Sequence, residues 1–214
     1  MNGWPLACSL LLGLCAGCLS LSSEAPAAKA WTLDAVPDAS PAAQPAAEGA
    51  GKAAFATTRV GAVSVDAPFD RTPFVVRRAD GSVAFDHANV FASSPGALLR
   101  APVRRRLGAD GRFGSVVGLS SAARADAQVE VQVMDLSLDC RTPGRRRACA
   151  ALALDVVKAG RGPRVVALRG AGAGEADAAA GDYSLAFSQA VDAALQEALR
   201  ALKTADASSE TPAP

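Results

Sequence analysis

The chain has 214 residues, half of them apolar, and its 22 Lys and Arg against 21 Asp and Glu leave a formal net charge of +1. That balance provides no basic excess for nucleic acid. A single histidine, His87, and the lack of any CxxC spacing after residue 18 argue against a zinc centre.

In chain order, the first feature is an apolar run, 4–14, that ends in Ala16-Gly17-Cys18. A short apolar stretch followed by small residues is the pattern of a cleaved export signal. The cut before a cysteine resembles a bacterial lipobox, in which the new first residue is acylated. Each buried CH₂ contributes about 0.8 kcal/mol, so two or more acyl chains hold a protein stably at a membrane. Residues 1–17 are therefore expected to be the signal and Cys18 the lipidated residue. The alternative is an uncleaved helix over 4–21, close to the roughly 20 residues that span a bilayer. Leu19 and Ser20 follow the cysteine with no Asp at the second place. By resemblance to general lipoprotein sorting, this implies the outer membrane.

Residues 18–56 are rich in Ala, Pro, Ser and Gly and read as a linker. About 38 such residues have a root-mean-square reach of roughly 35 Å and extend to roughly 100 Å. Inside the linker, Ala30-Trp31-Thr32-Leu33 is an isolated apolar patch expected to dock on the domain as a short strand. The domain itself is expected over 57–203, at roughly 150 residues enough to build its own core. The remaining 204–214 are polar, end in proline and read as a disordered tail.

Within the domain, Val60 to Val65 alternate before Pro68, and Phe74–Arg77 and Ser82–Phe85 flank an Asp80-Gly81 hairpin turn. Leu98, Leu99, Val103 and Leu107 fall at helical spacing after Ser94-Pro95, and Pro102 is expected to kink or shorten that helix. Val129, Val131 and Val133 alternate, and the phase then shifts at Met134-Asp135 to Leu136 and Leu138, as a β-bulge requires. Ala150 to Val156 and Arg164–Arg169 supply two more strands. Gly170-Ala-Gly-Ala-Gly174 lacks the Lys-Ser/Thr ending of a phosphate loop and reads as a flexible connection. From Asp182 to Lys203 an apolar stripe predicts the longest helix. The order predicts an α+β fold of two layers, a largely antiparallel sheet covered by two helices.

With the signal removed, Cys140 and Cys149 remain as an even pair in an oxidising compartment. They flank a Pro-Gly turn and are expected at facing positions of one hairpin. Closing a loop of that size would contribute about 2.5–3 kcal/mol. His87 lacks a nucleophile elbow and reads as a surface residue. The arginine triplets at 104–106 and 145–147 read as solvated faces, with anionic headgroups or an acidic partner as the alternative. Asp70 and Arg71 precede Pro73, which forces Thr72 into an extended conformation. They are either turn-forming or interfacial.

Pro68, Asp70, Arg71, Pro73, Val75, Val76, Arg77 and Phe91 occur in an order that resembles the ABC-type transport auxiliary lipoproteins, the family of paraquat-inducible protein C. Ala30-Trp31-Thr32-Leu33 is similar to that family's strand after the lipidated cysteine. The resemblance implies a periplasm-facing lipoprotein that assists an MCE-type lipid transporter, with no catalytic centre and no cofactor. Its implied partner is the MCE-domain substrate-binding protein. Exposed strand edges add the expectation that a surface around Asp70, Arg71 and Arg77 mediates docking or homo-oligomer formation. The alternative from another class is a free-standing envelope lipoprotein that binds a small apolar ligand or a cell-wall component.

Overall fold

A computed structural model describes residues 27–33, 53–158, 166–178 and 181–209. Its elements are β1 (Lys29–Trp31), β2 (Phe55–Val65), β3 (Pro73–Arg78), β4 (Val83–Phe91), α1 (Pro95–Gly108), β5 (Phe113–Val117), β6 (Ala127–Cys140), β7 (Arg147–Lys158), β8 (Val166–Asp177) and α2 (Tyr183–Ser209). The fold is α+β, with eight strands in one mixed sheet and both helices packed on it. Cys18, most of the linker and the last five residues lie outside the described residues.

The long ladders are antiparallel, as the sequence predicts: β6 with β7, β7 with β8, and β3 with β4. The sheet also holds parallel pairings that no local pattern announces. β2 runs parallel to β6 along Thr58–Val65, and β3 runs parallel to the same strand along Val75–Arg78. With β7 on one edge of β6, both β2 and β3 share the other, end to end. The remaining strands add in parallel, β5 beside β2 and β1 beside β4.

Alternation on β6 explains the layers. Ala127, Val129, Val131 and Val133 are buried, and after a register shift between Val133 and Asp135 the buried apolar set continues at Leu136 and Leu138. The expected bulge thus keeps one face apolar across a strand of 14 residues. On that face lies α2, through Phe187, Val191, Leu195 and Leu202. Beside it, α1 contributes Leu99, Val103 and Leu107. Pro102 does not end α1, which runs on to Gly108. Likewise α2 continues past Lys203 to Ser209, so the residues just after 203 are helical and not part of a tail.

The glycine run departs most from its expected role. Gly170, Gly172 and Gly174 lie inside β8 and form no flexible connection. A Cβ built on each would stand 2.2 Å from a carbonyl oxygen of α2, at Ala198, Ala194 and Ala190 respectively. The missing side chains let the helix backbone rest directly on the strand, with alanines of α2 completing the contact.

Candidate functional site

The Asp66–Thr72 connection is where the chain leaves β2 and is laid down again as β3 on the same edge of β6. Asp66 N–H donates to the Val133 carbonyl at 2.9 Å, and the Asp66 carboxylate accepts from the Gln132 amide at 3.1 Å. The Ala67-Pro68 peptide is cis, and Phe69 folds inward to 8% exposure.

The three residues singled out from sequence around this connection have different fates. Arg77 donates to Ser137 Oγ at 3.1 Å and to Asp135 at 2.9 Å, and its guanidinium stacks 5.8 Å from the Phe69 ring. It ties β3 to β6 and is occupied internally. Arg71 is exposed, its guanidinium 5.0 Å over the Phe85 ring. The exposed Asp70 side chain makes no hydrogen bond or ion pair among the described residues, so it does not stabilise the turn as a backbone acceptor. Arg71 and Asp70 are therefore the surface groups of the trio.

A second cluster lies on the face of the sheet away from the helices. Asp139, only 4% exposed, accepts from Arg141 at 2.7 Å and lies 3.6 Å from Arg147. Arg147 in turn reaches Glu175. Sequence reading missed this network; its signal is the Asp135, Ser137, Asp139 alternation that precedes the arginines of the turn. Hydrogen bonds from the Arg141 side chain and backbone hold the Asp139 carboxyl down to about 2 from 3.8. Because the folded-state value is depressed, the stabilisation is present above the unfolded value and lost as pH falls through the folded one. Asp139→Asn is expected to cost on the order of 1–3 kcal/mol at pH 7. The gap from the parent protein should close between about pH 4 and about pH 2, which urea denaturation at several pH values measures. A gap that persists at pH 2 would show that the carboxylate charge is not its source.

The expected disulfide is not formed: Cys140 and Cys149 are both free thiols. The register gives the reason. Cys149 pairs with Ser137, three residues before Cys140, so the thiols point to opposite faces of the sheet. Cys140 packs against the core on the helix side, and Cys149 sits among Arg77, Asp135 and Glu175 on the other. Burial, with Glu175 next in effect, pushes the Cys149 thiol up to about 11, and burial also raises Cys140. Both are poor nucleophiles at neutral pH.

At the other margin of the sheet, β1 is held by side chains as well as by its ladder. Trp31 Nε1 donates to Asn89 Oδ1 at 3.0 Å, and the indole meets the Tyr183 ring edge-on at 5.3 Å. Ser184 donates to the Thr32 carbonyl at 2.7 Å, and Leu33 is 1% exposed. The segment just after the proposed anchor is thus clamped between β4 and the start of α2. His87 lies exposed on β4. Among the described residues no group of three or more metal-ligating side chains occurs, and no helix is long and apolar enough to cross a membrane.

Comparison with known proteins decides the family. The chain matches the model of the ABC-type transport auxiliary lipoprotein component over residues 35–204. It belongs to that family. The matched span holds the Asp66–Thr72 connection, β3, β4, α1 and most of α2, whereas β1 precedes it. A crystal structure of a Xanthomonas campestris protein assigned to DUF330 shares the fold, with a TM-score of 0.55 and 17% identity over 73% of this chain and 89% of its own. A second solved structure, of an uncharacterized protein, has a TM-score of 0.49 and 15% identity over 69% of this chain and 90% of its own. No curated protein matches in sequence. Membership associates the chain with an ABC transporter and with the cell envelope, as an auxiliary component.

Proposed function

We propose that this auxiliary lipoprotein is anchored through Cys18 at the outer membrane, faces the periplasm, and serves an MCE-type ABC lipid transport system. It acts by docking on the MCE-domain substrate-binding protein and not by catalysis. The observation that carries this reading is the family match over residues 35–204, which takes in most of the folded domain. The placement of β1 supports it and changes the expected geometry. Because Lys29–Trp31 is already a strand of the sheet, only about ten residues separate Cys18 from the fold, a reach of at most about 40 Å. The alanine- and proline-rich stretch after Leu33 joins two strands of one domain and adds nothing to the tether. The domain stays close to its membrane, and the partner has to come to it.

Cys18→Ala is expected to abolish acyl labelling and move essentially all of the protein from the membrane fraction to the soluble one. Fractionation with radiolabelled palmitate measures both. A variant that stays integral with its N-terminus uncut would show a membrane-spanning helix in place of a lipid anchor. Co-purification with the MCE-domain protein encoded beside this gene tests the partner.

A further inference from the structure

The outer flank of α1 and the turn after β5 enclose a groove of about 470 Å³. Ala97, Arg100, Ala101 and Arg104 form one wall at i, i+3, i+4 and i+7 spacing. Leu119, 56% exposed, stands on the other and is the most exposed large apolar side chain among the described residues. The far wall is held in place. Arg59 donates to the Ser121 carbonyl at 3.2 Å and to the Ala123 carbonyl at 2.6 Å, which pins the loop after Leu119 to β2.

Charge decides what such a groove accepts. Arg106, two residues on from Arg104, reaches Asp192 at 3.6 Å. Arg100 and Arg104 reach no carboxylate among the described residues, and none lines the groove. Two guanidiniums one helical turn apart, beside an exposed leucine and walls of glycine and alanine, complement a chain segment that carries carboxylates next to an apolar side chain.

Position sets the groove away from the end of the sheet at which the tether enters. Arg78 of β3 pairs with Cys140, Val83 of β4 pairs with Arg77, and β1 runs parallel to β4, so β1 directs its N-terminus toward the Cys140 end of β6. The groove's floor, Val60, pairs with Val129 near the opposite end. The groove is also open to solvent and does not enclose an acyl chain. The geometry points to Arg100, Arg104 and Leu119 as the docking surface for an acidic, apolar-flanked segment of a partner protein, on the side away from the membrane tether. This rests on the docking reading above and gives it a location.

The test is site-specific photo-crosslinking in intact cells that produce the full lipidated chain. Benzoylphenylalanine replaces Leu119 in one strain and Thr142, at the opposite end of the domain, in another. The expected result is a protein adduct from position 119 whose crosslinked peptide contains Asp or Glu. Arg100→Glu with Arg104→Glu should reduce it at least about tenfold, and the paired Lys variant should retain most of it. Melting temperatures of both variants should match the parent, since both arginines are exposed. Should the Glu variant melt lower, Arg100→Ala with Arg104→Ala replaces it. An adduct with the MCE-domain protein supports groove and proposed partner together. An adduct with an acidic segment of a different protein keeps the groove and overturns that partner. Crosslinking of the MCE-domain protein from position 142 alone keeps the partner and overturns the groove. Lipid adducts, adducts with a second copy, or none at position 119 also overturn the groove.

Discussion

Gly172→Val is expected to prevent folding. A single added Cβ at this position would lie 2.2 Å from the Ala194 carbonyl oxygen and 2.5 Å from the Ala198 nitrogen, both backbone atoms of α2 that no rotamer change can move. Relief requires α2 to lift from β8 by roughly 1 Å, and packed interfaces lose a quarter to a half of their dispersion well for a gap of that size. Leu195, Leu199 and Leu202 ride on the same helix, so the loss extends beyond the mutated site. The cost should exceed about 4 kcal/mol, a large part of the 5–15 kcal/mol available to an ordinary domain. The control is Gly108→Ala at the end of α1, where nothing lies within 4 Å of the added carbon. It should change stability by no more than about 1 kcal/mol, in the stabilising direction. Denaturant midpoints of the two variants measure the contrast. A folded Gly172→Val protein with the parent's midpoint would mean that α2 does not rest on β8 in this way.

Phe74→Ala should cost about 3–5 kcal/mol, the usual range for deleting a fully buried ring. Phe74 is completely buried, and its ring centroid lies 4.6 Å from Phe91, 5.0 Å from Phe187 and 5.6 Å from Tyr183. These rings join β3, β4 and α2, and Tyr183 passes the contact on to Trp31 of β1. The substitution therefore loosens the strand next to the proposed tether as well as the core. Trp31 reports on it directly, because a chain beginning at Cys18 keeps Trp31 as its sole tryptophan. Its emission should shift to the red at denaturant concentrations where the parent is still native. A loss of less than about 1 kcal/mol with unchanged emission would show that the cluster does not hold β1.

What the sequence by itself determined is what depends on neighbours within one element or one hairpin. The period-two alternation of β6 and β7, the phase shift at Met134, the helical stripe of α2 and the Asp80-Gly81 turn, where Gly81 has a φ of 81°, are all written in adjacent residues and appear in the structure. The short run of Pro68, Asp70, Arg71 and Pro73 marked the family. Tertiary structure alone decided features that need a partner distant in sequence. Parallel pairing of β2 and β3 with one edge of β6 has no turn to announce it, since parallel neighbours are joined through remote connections. Gly170–Gly174 carries no apolar side chain, and it becomes a strand because the backbone of α2 fills the space above it. The cysteines looked paired because both flank one turn, but a three-residue offset in register puts them on opposite faces, and side-chain direction in a strand reverses with each residue. The arginines illustrate the same limit. Arg77 and Arg147 are bound by carboxylates on other strands while Arg100 and Arg104 are not, and adjacent positions in a sequence hold no record of which charges the fold will bring together.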